Sequence, residues 1–199
     1  MSMATLSLNI RMEGKVAVIV GGGAVALRKV RTLIACGAAV RVVAINICPE
    51  ISAMETSDLL TVRVGGYAAM DLDNAFLVIA ATNNAMVNEQ VATDARECGI
   101  LVTVVDNPAV GDCTFPALLQ RGDLEIAVST GGHCPTFATD VRDCIAERIG
   151  SEYGSVLKQL GKEREKLLTN GSCRTYNKQL LRSLADRLLA EVTECKDLS

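Results

Sequence analysis

Apolar residues in this chain fall into two patterns: short unbroken runs, and longer stretches in which they recur every three or four positions. A run of four to eight residues rich in Val and Ile predicts a strand buried on both faces. The three-to-four spacing predicts an amphipathic helix. The runs are Lys15 to Val20, Ala39 to Ala44, Leu60 to Val64, Phe76 to Ala81 and Ile100 to Val105. After the first run, Ala26, Val30, Leu33 and Ile34 sit at helical spacing, and Gly37 closes that helix as its C′ residue. Pro49 opens a short helix to about Ser57. Thr82, Asn83 and Asn84 cap another from about Met86 to Cys98, which Gly99 ends. Strands alternating with helices through short connections predict a doubly wound, parallel α/β sheet. Leu6 to Ile10 alternates only weakly, and reads either as an edge strand or as a segment lying under the sheet.

The pattern changes after Asp106. Pro108 and Gly111 mark a turn, and a hairpin follows, Thr114 to Gln120 and Leu124 to Ser129 around Arg121-Gly122-Asp123. Thr130-Gly131-Gly132 leads into a helix from about Pro135 to Ile149. Ser151 to Ser199 reads as two helices parted by Thr169-Asn170-Gly171-Ser172, the second carrying a stripe of Leu180, Leu184, Leu188 and Leu189. The expected organisation is a sheet domain over 1–112, a small α+β segment over 113–149 and a helical domain over 150–199.

The stretch Gly14 to Gly37, GKVAVIVGGGAVALRKVRTLIACG, is where this pattern acquires chemistry. Strand, glycine turn and helix in immediate succession are the context of a dinucleotide-binding Rossmann fingerprint. Gly21 makes the tight turn, Gly23 lets a pyrophosphate approach the backbone, and Ala26 permits close helix–strand packing. The free amides at the start of the helix, through Gly22, Gly23, Ala24 and Val25, would hold the phosphates. The alternative is a tight turn without ligand. In a doubly wound sheet, ligand groups gather at the carboxyl ends of the strands, here Gly21, Asn46, Thr82 and Asp106. The second strand ordinarily ends in an acid that holds the ribose. This chain has Asn46 there, with Glu50 too far on, so NAD and NADP both remain open.

Composition narrows the field. Hydrophobic residues are 49% of the 199, yet aromatics are 3% and Trp is absent, so the core is aliphatic. A net charge of −3 provides no basic field for nucleic acid. Eight cysteines without a CxxC pair, and a single histidine, speak against a structural zinc site. With no signal-like start and no membrane-length apolar run, the expectation is a reduced, cytoplasmic protein.

Two groups offer further chemistry. Asp106 ends a buried strand on the ligand side, where it reads either as a turn cap before Asn107-Pro108 or as a general base. In Ser129-Thr130-Gly131-Gly132-His133-Cys134-Pro135, a strand runs through two glycines into a Pro-started helix. That arrangement reads as an anion site or as an ordinary turn.

The strings GGGAVALRK, AATNNAMVNEQV, VVDNP and FPALLQRGDLEIAVSTGG, in this order and followed by Pro135, resemble the precorrin-2 dehydrogenase/sirohydrochlorin ferrochelatase family, a module of siroheme synthesis. The resemblance runs from about Leu6 to about Ile149; beyond it the match is only in length and helical character. It implies NAD-dependent oxidation of precorrin-2 to sirohydrochlorin, with ferrous iron inserted as a second substrate in bifunctional members. It implies a homodimer paired through the segment after the Rossmann domain. It also matches Asp106 to the family's essential aspartate and places Thr130 near the active cleft. The substrate's carboxylate arms would meet Arg28, Lys29, Arg31, Arg121 or Arg142, assisted by the turn of Thr130, Gly131, Gly132 and His133. The chain departs from the family at Cys134, where a small hydroxylic residue is usual. Cys caps a helix poorly, a loss of ~1 kcal/mol. Two rivals stand beside this reading: a Rossmann dehydrogenase of a smaller acid, and an NAD sensor that does no chemistry.

Overall fold

The computed structural model describes residues 5–54, 57–169 and 174–197. They form two compact units, the first Thr5–Phe115 and the second from Pro116 onward.

The first unit is a five-stranded parallel sheet: β1 (Val16–Val20), β2 (Ala39–Ala44), β3 (Leu60–Val64), β4 (Ala75–Ala80) and β5 (Leu101–Val104). The strand order is β3-β2-β1-β4-β5, and every pair is parallel. β1 runs down the centre, with Val18 opposite Arg41 on one side and Val78 on the other. Alternation along β1 sorts its side chains between two aliphatic cores. Ala17 and Ile19 join the core covered by α1 (Ala24–Ala35), through Ala26, Val30 and Leu33. Val18 and Val20 join the core covered by α3 (Ala85–Glu97), through Val91, Ala92 and Ala95. Each large side chain so buried contributes roughly 1.5–3 kcal/mol, so a charge at Val30 or Val91 would break the layer it fills.

The helices stop where the sequence says they should. Gly37 is left-handed at φ +75°; its N–H donates to Ile34 O and that of Ala38 to Leu33 O, the paired bonds of a Schellman motif. Gly99 repeats the arrangement at the end of α3, bonding Arg96 O, while Ile100 bonds Ala95 O. The short α2 (Pro49–Ala53) follows β2. The crossover from β3 to β4 is pinned by Asp71, which is buried and ion-paired with Arg63; the Asp71 backbone carbonyl also accepts from Arg41 Nη1 at 2.6 Å.

Leu6 to Ile10 corrects an expectation. It is neither an edge strand nor tucked under the sheet: Leu6 is 79% and Leu8 70% exposed, and the segment pairs with no strand. Both faces of the sheet are already filled by α1 and α3, so no apolar layer is left for it to enter.

The second unit holds an antiparallel hairpin, β6 (Ala117–Arg121) and β7 (Leu124–Val128), then α4 (Pro135–Arg148), α5 (Glu152–Thr169) and α6 (Arg174–Asp197). The turn is the two residues Gly122-Asp123, with Gly122 left-handed at φ +59°. Gly154 lies inside α5 although glycine costs a helix about 1 kcal/mol. A Cβ there would strike the Arg121 carbonyl, so the glycine lets α5 close on the hairpin turn. Alternation turns Leu119 inward, buried, leaves Ile126 half-buried and exposes Leu118. The connection expected at Thr169 to Ser172 falls on Asn170, Gly171 and Ser172, which lie outside the described residues, as does Cys173. Among the described residues, no helix is long and apolar enough to cross a membrane.

Candidate functional site

The sheet reverses its winding between β1 and β4, and the chain leaves these neighbouring strands toward opposite faces. Such a switch point opens a crevice at the carboxyl ends of the strands. Gly21 and Ala81 meet there. A Cβ on Gly21 would strike the Ala81 carbonyl, and Gly21 has φ +134°, reserved in practice for glycine. Gly22 is crowded in the same way by the Asn46 carbonyl and Ile47. Gly23 is different, since a Cβ there would meet nothing within 4 Å. The first two glycines are therefore needed by the protein itself, whereas the third faces open space.

Gly23 is also the N-cap of α1 and has no side chain to cap it. The first turn carries no acid, and the amides of Ala24, Val25 and Ala26 have no partner among the described residues. At α3 the equivalent amides are taken, because Asn84 Oδ1 accepts from Met86 N at 3.0 Å and Val87 N at 3.3 Å. The site that can hold an anion is thus at α1. Asn46 is exposed and its side chain has no partner among the described residues, so it is available to a hydroxyl.

Thr82, by contrast, is occupied. Its hydroxyl donates to Asn88 Oδ1 at 2.7 Å and accepts from Asn84 N at 3.1 Å. Asn88, which the sequence reading passed over, is the hub of this edge. It is 1% exposed. Its Oδ1 also accepts from Thr82 N at 3.2 Å, and its Nδ2 donates to Thr82 O at 3.1 Å and to Asp106 Oδ1 at 3.0 Å. The signal was present: Asn88 is the one polar member of the stripe it forms with Val91, Ala92 and Ala95. Asp106 itself is exposed rather than enclosed in a cleft, with Asn88 holding one oxygen and the other without a partner among the described residues.

Farther along α1, Arg28 and Arg31 are exposed, and their side chains pair with nothing among the described residues. Lys29 is half-buried with its Nζ 3.4 Å from the centroid of the Phe115 ring. Burial and the charge of Arg28 bring its amine down to about 8. Burial likewise pushes the Cys113 thiol up; it lies 3.2 Å from the Thr103 hydroxyl.

The remaining candidates belong to the second unit. The turn before α4 is not the open row of amides its sequence suggested. Gly131 N donates to Ser129 Oγ at 3.3 Å, His133 N to Thr130 O at 3.1 Å, and Cys134 N to Thr130 Oγ1 at 3.2 Å. Hydroxyl side chains compete for nearby amides, and here they close the turn on itself. Gly131 and Gly132 are both left-handed, at φ +61° and +81°. Gly132 keeps a free amide, and His133 is exposed. Cys134 is the N-cap of α4 and makes no side-chain cap, as expected. Arg121 is committed to the backbone, its Nε donating to Ile149 O at 2.9 Å and its Nη1 to Gln120 O at 3.1 Å. Arg142 pairs with Asp143. Among the described residues no cluster of three His, Cys, Asp or Glu side chains could hold a metal ion.

The model of a family described as "Putative NAD(P)-binding" matches residues 8–117. The chain is 41% identical over 160 residues to the siroheme synthase of Ectopseudomonas mendocina (strain ymp), covering 80% of this chain and 34% of the relative. It is 35% identical over 185 residues to siroheme synthase 2 of Aeromonas salmonicida (strain A449), covering 93% and 36%. The chain thus spans about a third of the length of these curated relatives. Among solved structures, SirC, precorrin-2 dehydrogenase, superposes with a TM-score of 0.78 at 23% identity, covering 96% of this chain and 100% of that one. That likeness is one of fold.

Proposed function

Because the chain belongs to the NAD(P)-binding family that matches its first unit, we propose that it is an NAD-dependent dehydrogenase oxidising precorrin-2 to sirohydrochlorin. The observation that carries the reading is the placement at one sheet edge of an anion cradle and a carboxylate with a free oxygen. The resemblance of five ordered motifs to precorrin-2 dehydrogenases, and the siroheme synthase relatives, supply the substrate.

The cradle fits a dinucleotide. Gly21 and Gly22 draw the turn tight against Ala81 and Asn46, and Gly23 leaves the approach to the α1 amides open. Ala24, Val25 and Ala26 would hold the pyrophosphate with Gly22 and Gly23, Asn46 the ribose, and the Thr82 turn would border the site. NAD bound there supplies the hydride acceptor. The chain's own share is the proton: Asp106 takes it through the oxygen that Asn88 leaves free, as a general base. Where iron insertion also occurs, the same carboxylate would receive pyrrole N–H protons, with ferrous iron as a substrate.

For the polyanionic substrate the first unit offers Arg28 and Arg31, which pair with nothing among the described residues, and the second unit, taken by itself, offers Thr130, Gly131, Gly132 and His133. Arg121 is the weaker candidate, because its guanidinium already serves Ile149 and Gln120. The homodimer belongs to the same proposal. Among the described residues from Pro116 onward, only Leu119, Ala138 and Val156 are buried hydrophobics, a thin core for three helices and a hairpin. A second copy of the 113–149 segment would complete it. A cytoplasmic location fits the unpaired thiols.

The test is to mix the protein with NAD and precorrin-2 and follow the visible spectrum. Conversion to sirohydrochlorin with NADH formation is expected. NAD binding without conversion would leave a sensor module instead.

A further inference from the structure

We propose that Asn88 is the positioning residue of this site, fixing the orientation of Asp106 and tying it to the turn at the end of β4. The inference rests on Asp106 acting as proton acceptor. It is carried by a set of bonds that packing alone does not call for.

The position lies on the buried stripe of α3 between the helix start and Val91, where an aliphatic side chain could fill the space but would leave the Thr82 N–H and carbonyl without the partners Asn88 gives them. A buried amide there costs about 1–3 kcal/mol unless each polar atom is matched. All four valences of Asn88 are matched, Oδ1 by the Thr82 N–H and hydroxyl, Nδ2 by Thr82 O and Asp106 Oδ1. The orientation of the amide follows from chemistry. The Thr82 N–H can only donate, so Oδ1 must face it; the carbonyl and the carboxylate can only accept, so Nδ2 must face them. Nothing remains with which Asn88 could bind a ligand. It acts on the reaction through Asp106 or not at all.

The consequence for Asp106 is geometric. Its oxygens are equivalent in free solution, but here Oδ1 is held at 3.0 Å by a donor that cannot itself move. Oδ2 is left without a partner among the described residues. No cation among the described residues pairs with this carboxylate, so the amide is the group that restrains it. Because the same amide holds both the N–H and carbonyl of Thr82, a displacement at the end of β4 is transmitted to the base at the end of β5.

The experiment uses the full chain in three forms: wild type, Asn88→Asp and Asn88→Ala, each checked for folding by circular dichroism and for NAD affinity by calorimetry. Asn88→Asp keeps size and shape, still accepts from Thr82, and loses the donor to Asp106. We expect its kcat to fall by about tenfold or more, the worth of a hydrogen bond to a charged group. KM for precorrin-2 and the Kd for NAD should stay within about twofold. The acidic limb of its kcat/KM profile should also move to higher pH, since two neighbouring carboxylates share a proton. A loss of packing alone would lower activity at every pH and leave the limb where it was, and that result would overturn the proposal. Should Asn88→Ala fail to fold, the isosteric variant still decides. Proton exchange of the Asn88 amide in labelled protein gives a readout free of turnover: it should be slow in wild type and accelerate in Asp106→Ala. An unchanged exchange rate would show that the bond does not hold in solution. A wild type that binds NAD and leaves precorrin-2 untouched would sink the dehydrogenase reading, and with it the catalytic purpose of the bond, whatever the exchange shows.

Discussion

The Lys29 ammonium lies over the face of the Phe115 ring, 3.4 Å from its centroid, at the point where the chain leaves the first unit. Two effects oppose one another in this pair. Burial and Arg28 bring the amine from its ordinary 10.5 down to about 8, while the ring face attracts the charged form. The folded value is the lower one, so between about pH 8 and 10.5 the unfolded chain binds the extra proton and stability rises with pH. Melts of wild type and Lys29→Met from pH 7 to 10.5 should show that rise in their difference, at less than about 1.4 kcal/mol per pH unit, one proton's full linkage. Phe115→Leu should start it at lower pH. A flat difference would mean that the folded and unfolded chains hold the Lys29 proton equally.

The glycine turn should respond unequally to substitution. Gly23→Leu places its side chain in open space, so the melting temperature should hold. NAD affinity should fall by about two orders of magnitude, the worth of two lost hydrogen bonds to a charged group. Gly21→Ala drives a Cβ into the Ala81 carbonyl from a left-handed backbone and should cost about 1–3 kcal/mol in folding. Calorimetry and thermal melts separate the two. Undiminished NAD affinity in folded Gly23→Leu would remove α1 as the phosphate site.

Asp106→Asn keeps the shape of the side chain but cannot take a proton. Dehydrogenase activity should drop by about two orders of magnitude or more, with NAD affinity nearly unchanged, because the cradle lies on another loop. If iron insertion occurs, it should fall in the same variant. Full activity would reduce Asp106 to a turn cap.

Sedimentation velocity at micromolar concentration should give a dimer. Leu118→Glu, placed on the outer face of β6 where Leu118 is 40% exposed, should shift it toward monomer. A wild type that sediments only as monomer would refute the pairing.

Much of the first unit was legible in the sequence because the information is local. Ala39–Ala44 and Leu60–Val64 are strands with the bounds their apolar runs suggest, and Gly37 and Gly99 end helices through bonds reaching no farther than five residues back. Strand ends elsewhere moved by a residue or a few, as at Ala75–Ala80 and Leu101–Val104, where neighbouring strands decide how far a ladder extends.

The sequence by itself determined the α/β alternation, the glycine turn at the head of α1, and Asp106 at the end of a buried strand. Tertiary structure alone decided which glycines are crowded, since Gly21 meets Ala81 and Gly22 meets Asn46 only once distant strands lie side by side. It also decided that Asn88 reaches Asp106, 18 residues on, and that Arg121 is spent on Ile149. Periodicity records which face of an element avoids water. A hydrogen bond between remote side chains depends on the position of both backbones to within a few tenths of an ångström, and that is set only when the layers have packed.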